Sequence, residues 1–239
     1  MGDTIITLDI DWAPDFMIDQ VASILLENNV KATWFVTHSS PIVDSLKRYP
    51  ELFELGMHPN FLPGSTQGSN ESEIIEFMLS LLPGAQSMRT HGVVQSGPLL
   101  ANMVKKTSVS VDATIFLPEM EGIKCVKHLT PFGSLIRVPT YWADDYELLK
   151  LSSKWSPLEL LKKQGLQVYN FHPIHVYLNT PSNDHYMAFK QAGLDFGVMK
   201  PSDVEPYIYE GIGVRDFFCA LLKEAANSGR LMKEFKGQF

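Results

Sequence analysis

The sequence predicts an α/β fold, a mostly parallel sheet assembled from repeated βα units in a single domain spanning residues 1–239. Three observations predict it. Short apolar and β-branched runs alternate with segments whose apolar residues recur at helical spacing. The 239 residues are 45% hydrophobic and 20% charged, which suffices for one ordinary buried core. The chemistry-bearing polar residues fall directly after strand runs, where parallel sheets bind ligands, whether closed as barrels or open as doubly wound sheets.

Residues 4–8 form the first buried-strand run. Residues 16–27 follow with helical spacing at Phe16, Met17, Val21, Ile24 and Leu25, and Asn28-Asn29 ends them. Residues 32–36 (Ala-Thr-Trp-Phe-Val) are a second buried strand, completing a right-handed βαβ unit. The Gly- and Ser-rich stretch 64–71 is a loop, and 73–82 is a helix stopped by Pro83-Gly84. A short strand over 87–89 precedes a helix over 98–106 with proline in its first turn. Residues 108–111 and 135–138 read as strands, and 157–163 as a helix capped by Ser156. Residues 167–171 are another strand; 184–192 and 214–227 are helices, the latter closed by Ser228-Gly229.

The formal net charge is −7 and no lysine/arginine run tracks a phosphate backbone, which argues against a nucleic-acid partner. Cys125 and Cys219 stand far apart without CxxC spacing, so neither a disulfide framework nor a thiolate metal site is expected; buried free thiols are. No stretch of about 20 apolar residues predicts a transmembrane helix, and no signal-peptide pattern opens the chain, so the expected location is cytoplasmic.

Asp9-Ile10-Asp11-Trp12 is the strongest chemical signal. Alternation along a strand aims Asp9 and Asp11 to one side, and two close carboxylates in a dry site call for a cation or a shared proton. Taken alone, the pair more often marks a solvated strand-to-loop turn with aspartate as a helix cap. His58, His91 (after Arg89), His172 and His175 also lie at strand ends. Imidazoles and carboxylates with an open position suit one divalent ion, zinc first among the first-row metals.

Thr7-Leu8-Asp9-Ile10-Asp11-Trp12, Lys31-Ala32-Thr33-Trp34-Phe35-Val36 and Glu54-Leu55-Gly56-Met57-His58 resemble, in order and spacing, the polysaccharide deacetylase family with the NodB-homology fold, nearest its WbmS-type branch associated with O-antigen biosynthesis. The resemblance implies a distorted, incomplete (β/α) barrel that hydrolyses an N-acetyl group from an amino sugar. It also implies Asp9 as general base, Asp11 and His58 as metal ligands, Arg89 as partner of the base and His172 as general acid. Asp144 or Asp145 would orient that histidine. The second histidine of the family's His-x-x-x-His motif falls on Leu62, which cannot ligate. His91 is the first substitute, with Asn60 and His175 as alternatives. Trp12, Tyr141 and Trp142 are read as half core and half cleft wall, Trp12 and Trp142 being possible sugar-stacking faces. His38 follows a strand and could line the cleft; His128 and His185 are read as structural.

The expected substrate is a small or carrier-linked N-acetyl amino sugar. Residues 64–71 and 179–183 are loops long enough to fold over it. Two other readings fit the departures from the motifs. One is an amidohydrolase of the same fold acting on a non-sugar amide. The other is a non-catalytic carbohydrate-binding pseudoenzyme.

Overall fold

The computed structural model describes residues 4–225 and 229–238. In chain order the elements are β1 (Thr4–Asp9), α1 (Asp15–Glu27), β2 (Ala32–Val36), α2 (Pro41–Leu46), β3 (Phe53–Met57), α3 (Glu71–Leu81), β4 (Ser87–Met88) and α4 (Gly97–Lys106). There follow β5 (Val111–Asp112), β6 (Val126–Thr130), β7 (Gly133–Arg137), β8 (Trp142–Ala143), α5 (Asp144–Leu148), α6 (Leu158–Leu161), β9 (Gln167–Phe171), α7 (Pro173–Leu178), α8 (Asn183–Gln191), α9 (Pro201–Val204) and α10 (Val214–Ala225).

Helices begin where side chains can replace missing intrahelical acceptors. Asn70, Ser96 and Ser182 each accept a backbone N–H in the first turn of α3, α4 and α8. Helix α1 buries Ile18, Val21, Ala22 and Leu25, one stripe at helical spacing, in the core that covers the sheet, and Met17 in a second cluster. Strands β1, β2 and β9 are buried at every residue, as central parallel strands covered on both faces must be.

The nine strands form one sheet in the order β6-β7-β5-β4-β3-β2-β1-β9-β8, parallel throughout except for the β6–β7 hairpin. The sheet curls into a half-barrel whose edges do not pair, the incomplete barrel expected. A second, smaller apolar cluster, including Met17, Ile174, Phe189 and Val204, packs beneath α7, α8 and α9. At the N-terminal ends of the strands the chain returns as a 3-10 turn, Met232–Phe235. There the Met232 N–H donates to Thr33 Oγ1 (3.0 Å) and the Lys233 N–H to Glu54 Oε2 (2.7 Å).

Several boundaries differ from the sequence reading. The 108–111 strand shrinks to Val111–Asp112, because Ser110 and Val111 both donate to the Gln86 carbonyl as the chain enters the sheet. The 157–163 helix is the single turn of α6, starting behind Pro157 without a side-chain cap from Ser156. The stop expected at Ser228 lies outside the described residues. The β6 edge strand was not foreseen. It buries none of its residues, which are exposed or half-buried, and therefore lacks the burial alternation that marks a strand. Cys125 and Cys219 are free thiols, half-buried rather than buried.

Candidate active site

Strand β1 ends at Asp9, and the chain turns at once. Asp11 and Trp12 both have positive φ, 39° and 57°, with the Ala13 N–H closing the turn onto the Ile10 carbonyl at 2.7 Å. Such backbone is uncommon for residues with side chains and marks stored strain. Thr37, just past β2, holds the turn by accepting the Trp12 N–H (3.2 Å). Asp11 therefore reaches the same side as Asp9 through a left-handed turn and not through strand alternation.

Asp9 is buried, and both its oxygens are held. Arg89 Nη1 donates to Oδ1 (2.8 Å) and Asn170 Nδ2 to Oδ2 (2.8 Å). Arg89, also buried, commits every one of its N–H donors. Nε reaches the Ala113 carbonyl, Nη1 also reaches Asn170 Oδ1, and Nη2 reaches the hydroxyls of Thr7 and Thr140. Its guanidinium lies over the Phe35 ring, 4.6 Å from the centroid. Burial alone would raise the Asp9 carboxyl, but Arg89, then His58 and His172, outweigh it and hold it below the ordinary range, with Asp11 opposing. Asn170, Thr7 and Thr140 were assigned no role from the sequence. The one signal available was a polar residue at Asn170, inside an otherwise apolar strand and two residues before His172, hence on its face.

Beside Asp9, three donor side chains converge. His58 Nδ1 faces the Arg89 carbonyl at 2.7 Å; a carbonyl can only accept, so Nδ1 carries the proton. His58 Nε2 then points its lone pair at Asp11 Oδ1, 3.1 Å away, and His91 Nδ1 lies 3.1 Å from the same oxygen. A lone pair facing a carboxylate at that distance requires a proton or a cation between them. Burial would raise the Asp11 carboxyl, but the His58 and His91 rings beside it and the charge of His172 hold it well below the ordinary range. The hydrogen bond to Asp11 is also the main cause that raises His91. One carboxylate and two imidazoles, with one histidine's tautomer fixed from behind, are a donor set that fits zinc or another first-row divalent ion.

His91 reaches this position through the turn His91–Val93, where Gly92 has φ 62°. A Cβ at Gly92 would lie 3.2 Å from Leu62 Cδ1. The leucine at the motif position and the histidine beside Asp11 thus belong to neighbouring turns. Asn60 is not part of the cluster, because its Oδ1 accepts the Leu62 N–H (3.0 Å).

Across from Asp11, His172 follows β9. Its Nδ1 lies 2.6 Å from Asp144 Oδ1, and its backbone N–H donates to Oδ2 (2.7 Å). Nε2 is thereby aimed at the carboxylates, 3.6 Å from Asp11 and 4.0 Å from Asp9. Burial alone would lower the imidazole, but Asp144 outweighs it and holds His172 well above the ordinary value. Of the two aspartates considered, Asp144 contacts the histidine, while Asp145 is exposed at the cleft mouth. His175 packs behind His172, ring centroids 5.7 Å apart, with Nδ1 3.3 Å from Thr180 Oγ1; burial, then the charge of His172, holds it well below its ordinary value.

These groups floor a cleft of about 350 Å³, in the small-molecule range. Asp9, Asp11, His58, Arg89, His91 and His172 all line it. Trp12, Trp142, His175 and His38 do not. Trp142 is a core residue, stacked on Phe217 at 4.3 Å, because α10 covers β8 on that side. Trp12 sits edge-on against His91 at 5.4 Å. The 64–71 loop does not close over the cleft. Gln67 pins it by donating to the Thr37 and His58 carbonyls. Asn179 is equally fixed, donating to the Tyr209 and Gly211 carbonyls. The aromatic wall is made instead by Phe116 and Tyr146, which no motif or periodicity singles out.

Comparison with known proteins gives a consistent answer. Residues 6–190 match the family model for WbmS-like polysaccharide deacetylases. No curated protein sequence matches the chain. A Bordetella bronchiseptica protein, described as a polysaccharide deacetylase involved in O-antigen biosynthesis, is 33% identical, with a TM-score of 0.80 over 93% of this chain and 90% of its own. The 4-alpha-glucanotransferase of Thermococcus litoralis superposes with a TM-score of 0.56 at 10% identity, over 100% of this chain and 38% of that one; this likeness is one of fold alone.

Proposed function

The chain belongs to the WbmS-like polysaccharide deacetylase family, and on that premise we propose that it works as one catalytic domain, a metal-dependent N-deacetylase of an amino sugar in O-antigen or other surface-glycan synthesis. The observation that carries the reading is the convergence of Asp11, His58 and His91 directly beside an Asp9 whose oxygens are both held.

Asp11, His58 and His91 would hold the ion, zinc by preference. When bound, it supplies polarisation of the acetyl carbonyl and acidification of a water. The remaining steps belong to side chains. Asp9 is ionised, and each oxygen has one hydrogen bond and a lone pair to spare, so it can take the proton of the attacking water. Arg89 and Asn170 keep that carboxylate charged and oriented. The water oxygen bonds to the acetyl carbon, the C–N bond breaks, and acetate and a free amine leave. The amine takes its proton from His172, which Asp144 keeps protonated and aimed into the cleft. The low carboxylate and the high imidazole, close together, are the pattern of an assigned base and acid.

The missing motif histidine, the main support for a pseudoenzyme, does not leave the ion short of donors, because His91 stands beside Asp11. The test is acetate release from N-acetyl sugars by zinc-loaded protein, with cyclic ureides as the non-sugar control. Asp11→Ala should purify with little metal. Asp9→Asn should keep its metal while turnover drops about 10²–10⁴-fold, the usual cost of losing a general base. Full metal occupancy in Asp11→Ala, or wild-type turnover in Asp9→Asn, would sink the assignment.

A further inference from the structure

The cleft has a polar floor and an apolar wall, and the wall is separate from the proposed catalytic groups. Phe116 comes from the segment that bridges to Thr140, and Tyr146 from α5; their rings meet edge-to-face with centroids 5.1 Å apart. Leu149, just past α5, and Val93, on the turn that carries His91, also line the cleft and are 70% and 45% exposed. Large apolar side chains this exposed around a polar pocket are the usual mark of a binding surface. The charge at the mouth is equally one-sided. Asp145 is exposed there, its Oδ1 accepting the Tyr146 N–H at 2.8 Å. Among the described residues lining the cleft, the arginine and lysine complement is Arg89 alone, with every donor committed. The nearest lysine in sequence, Lys150, lies 5.5 Å from the Tyr146 ring and is ion-paired to both Glu119 and Glu147. His91 and His172 face Asp11, and His172 also holds Asp144. A phosphate at the mouth would meet aromatic carbon and a carboxylate, with no free cationic side chain to receive it.

We propose that this wall selects an uncharged sugar unit: Phe116 and Tyr146 take the apolar face of the ring, and Asp145 repels anionic substituents, so that a neutral N-acetyl glycan is preferred over a sugar nucleotide. This rests on the deacetylase reading for the class of ligand and narrows the carrier-linked forms expected from the sequence.

The test uses binding, so that it does not depend on turnover. Asp9→Asn protein carrying one equivalent of zinc is titrated calorimetrically with methyl glycosides of N-acetylglucosamine and N-acetylgalactosamine, and with the UDP conjugates of the same sugars. The better glycoside should bind roughly tenfold or more tightly than its UDP conjugate, the scale of one unfavourable charge contact at a partly exposed site. Adding Asp145→Lys should close most of that gap by tightening the UDP conjugate. Adding Phe116→Ala should weaken the glycoside about tenfold with zinc content unchanged; Tyr146→Ala, at a more exposed position, replaces it if that variant does not fold. UDP conjugates binding as well as glycosides, a gap unmoved by Asp145→Lys, or no glycoside binding at all would overturn the proposal. If the glycosides bind in the expected order but the wild-type protein releases acetate from none of them, the deacetylase reading falls and the charge selection stands.

Discussion

His172 keeps its proton because Asp144 is beside it, not because of its own burial, which works in the opposite direction. If the protonated imidazole is the acid, activity persists up to the raised pKa and is lost as the pH climbs through it. Asp144→Asn removes the main raising cause, so the alkaline limb of the kcat profile should move to lower pH, and kcat at neutral pH should fall. An alkaline limb that stays in place would show that another group sets it. Arg89 supports Asp9 by a different route. Arg89→Met leaves a buried carboxylate uncompensated, which typically costs about 3–5 kcal/mol; in a domain of this size that is a fall in Tm of roughly 6–20 °C, readable by calorimetry. At this scale the sequence was informative wherever chemistry dictates residue type. Asp9, Asp11, His58, His91 and His172 could be singled out because carboxylates and imidazoles at strand ends are hard to explain otherwise, while the place of Arg89 beside Asp9 was implied by the family resemblance. Asn170, Thr7 and Thr140 were opaque, because a hydroxyl or amide inside a strand has many uses and only the packing shows which Arg89 donor it meets.

Elements explain how these residues meet. The turn from Ile10 to Ala13 places Asp11 at the cost of positive φ at two residues with side chains, each of order 1–3 kcal/mol. Glycine adopts that backbone freely. Asp11→Gly should therefore be more stable than Asp11→Ala by about 1 kcal/mol in metal-free chemical denaturation, the reverse of their ranking in a helix or strand. Equal stabilities would mean that the turn is relaxed. Strand β3 contributes through a close approach: a Cβ at Gly56 would lie 2.8 Å from the Phe35 ring, on which Arg89 rests, and 2.6 Å from Ser87 Oγ. Periodicity made β1, β2, β9 and the longer helices legible. It could not show that Asp9 and Asp11 converge through a turn, nor that Trp142 faces α10 instead of the cleft, since both depend on contacts far away in sequence.

For the whole molecule, the site unites the ends of β1, β3, β4 and β9 with the first turn of α5, so the proposed ion would draw on tertiary structure that the unfolded chain lacks. Zinc at 100 times its Kd should then stabilise the folded state by about 2.7 kcal/mol, a rise in Tm of roughly 5–11 °C after chelation and reloading. Asp11→Ala should show no such rise. The parallel α/β class was legible because alternating βα runs admit few architectures, whereas the choice of an incomplete barrel over an open sheet rested on the family resemblance, and the β6 edge strand leaves no periodic trace.

The turn Met232–Phe235 shows that the region matched by the family model and the folding unit have different limits. The match to the family model ends at residue 190, yet Met232 and Phe235 are fully enclosed, and Glu54, a buried residue of β3, takes a hydrogen bond from the Lys233 backbone. A fragment trimmed to the matched region would expose the underside of the sheet and leave that carboxylate without a ligand it has in the intact chain. Residues 232–235 thus act as a keystone for β2 and β3, and substitutions there bear on whether the sheet holds together and not on the groups that line the cleft.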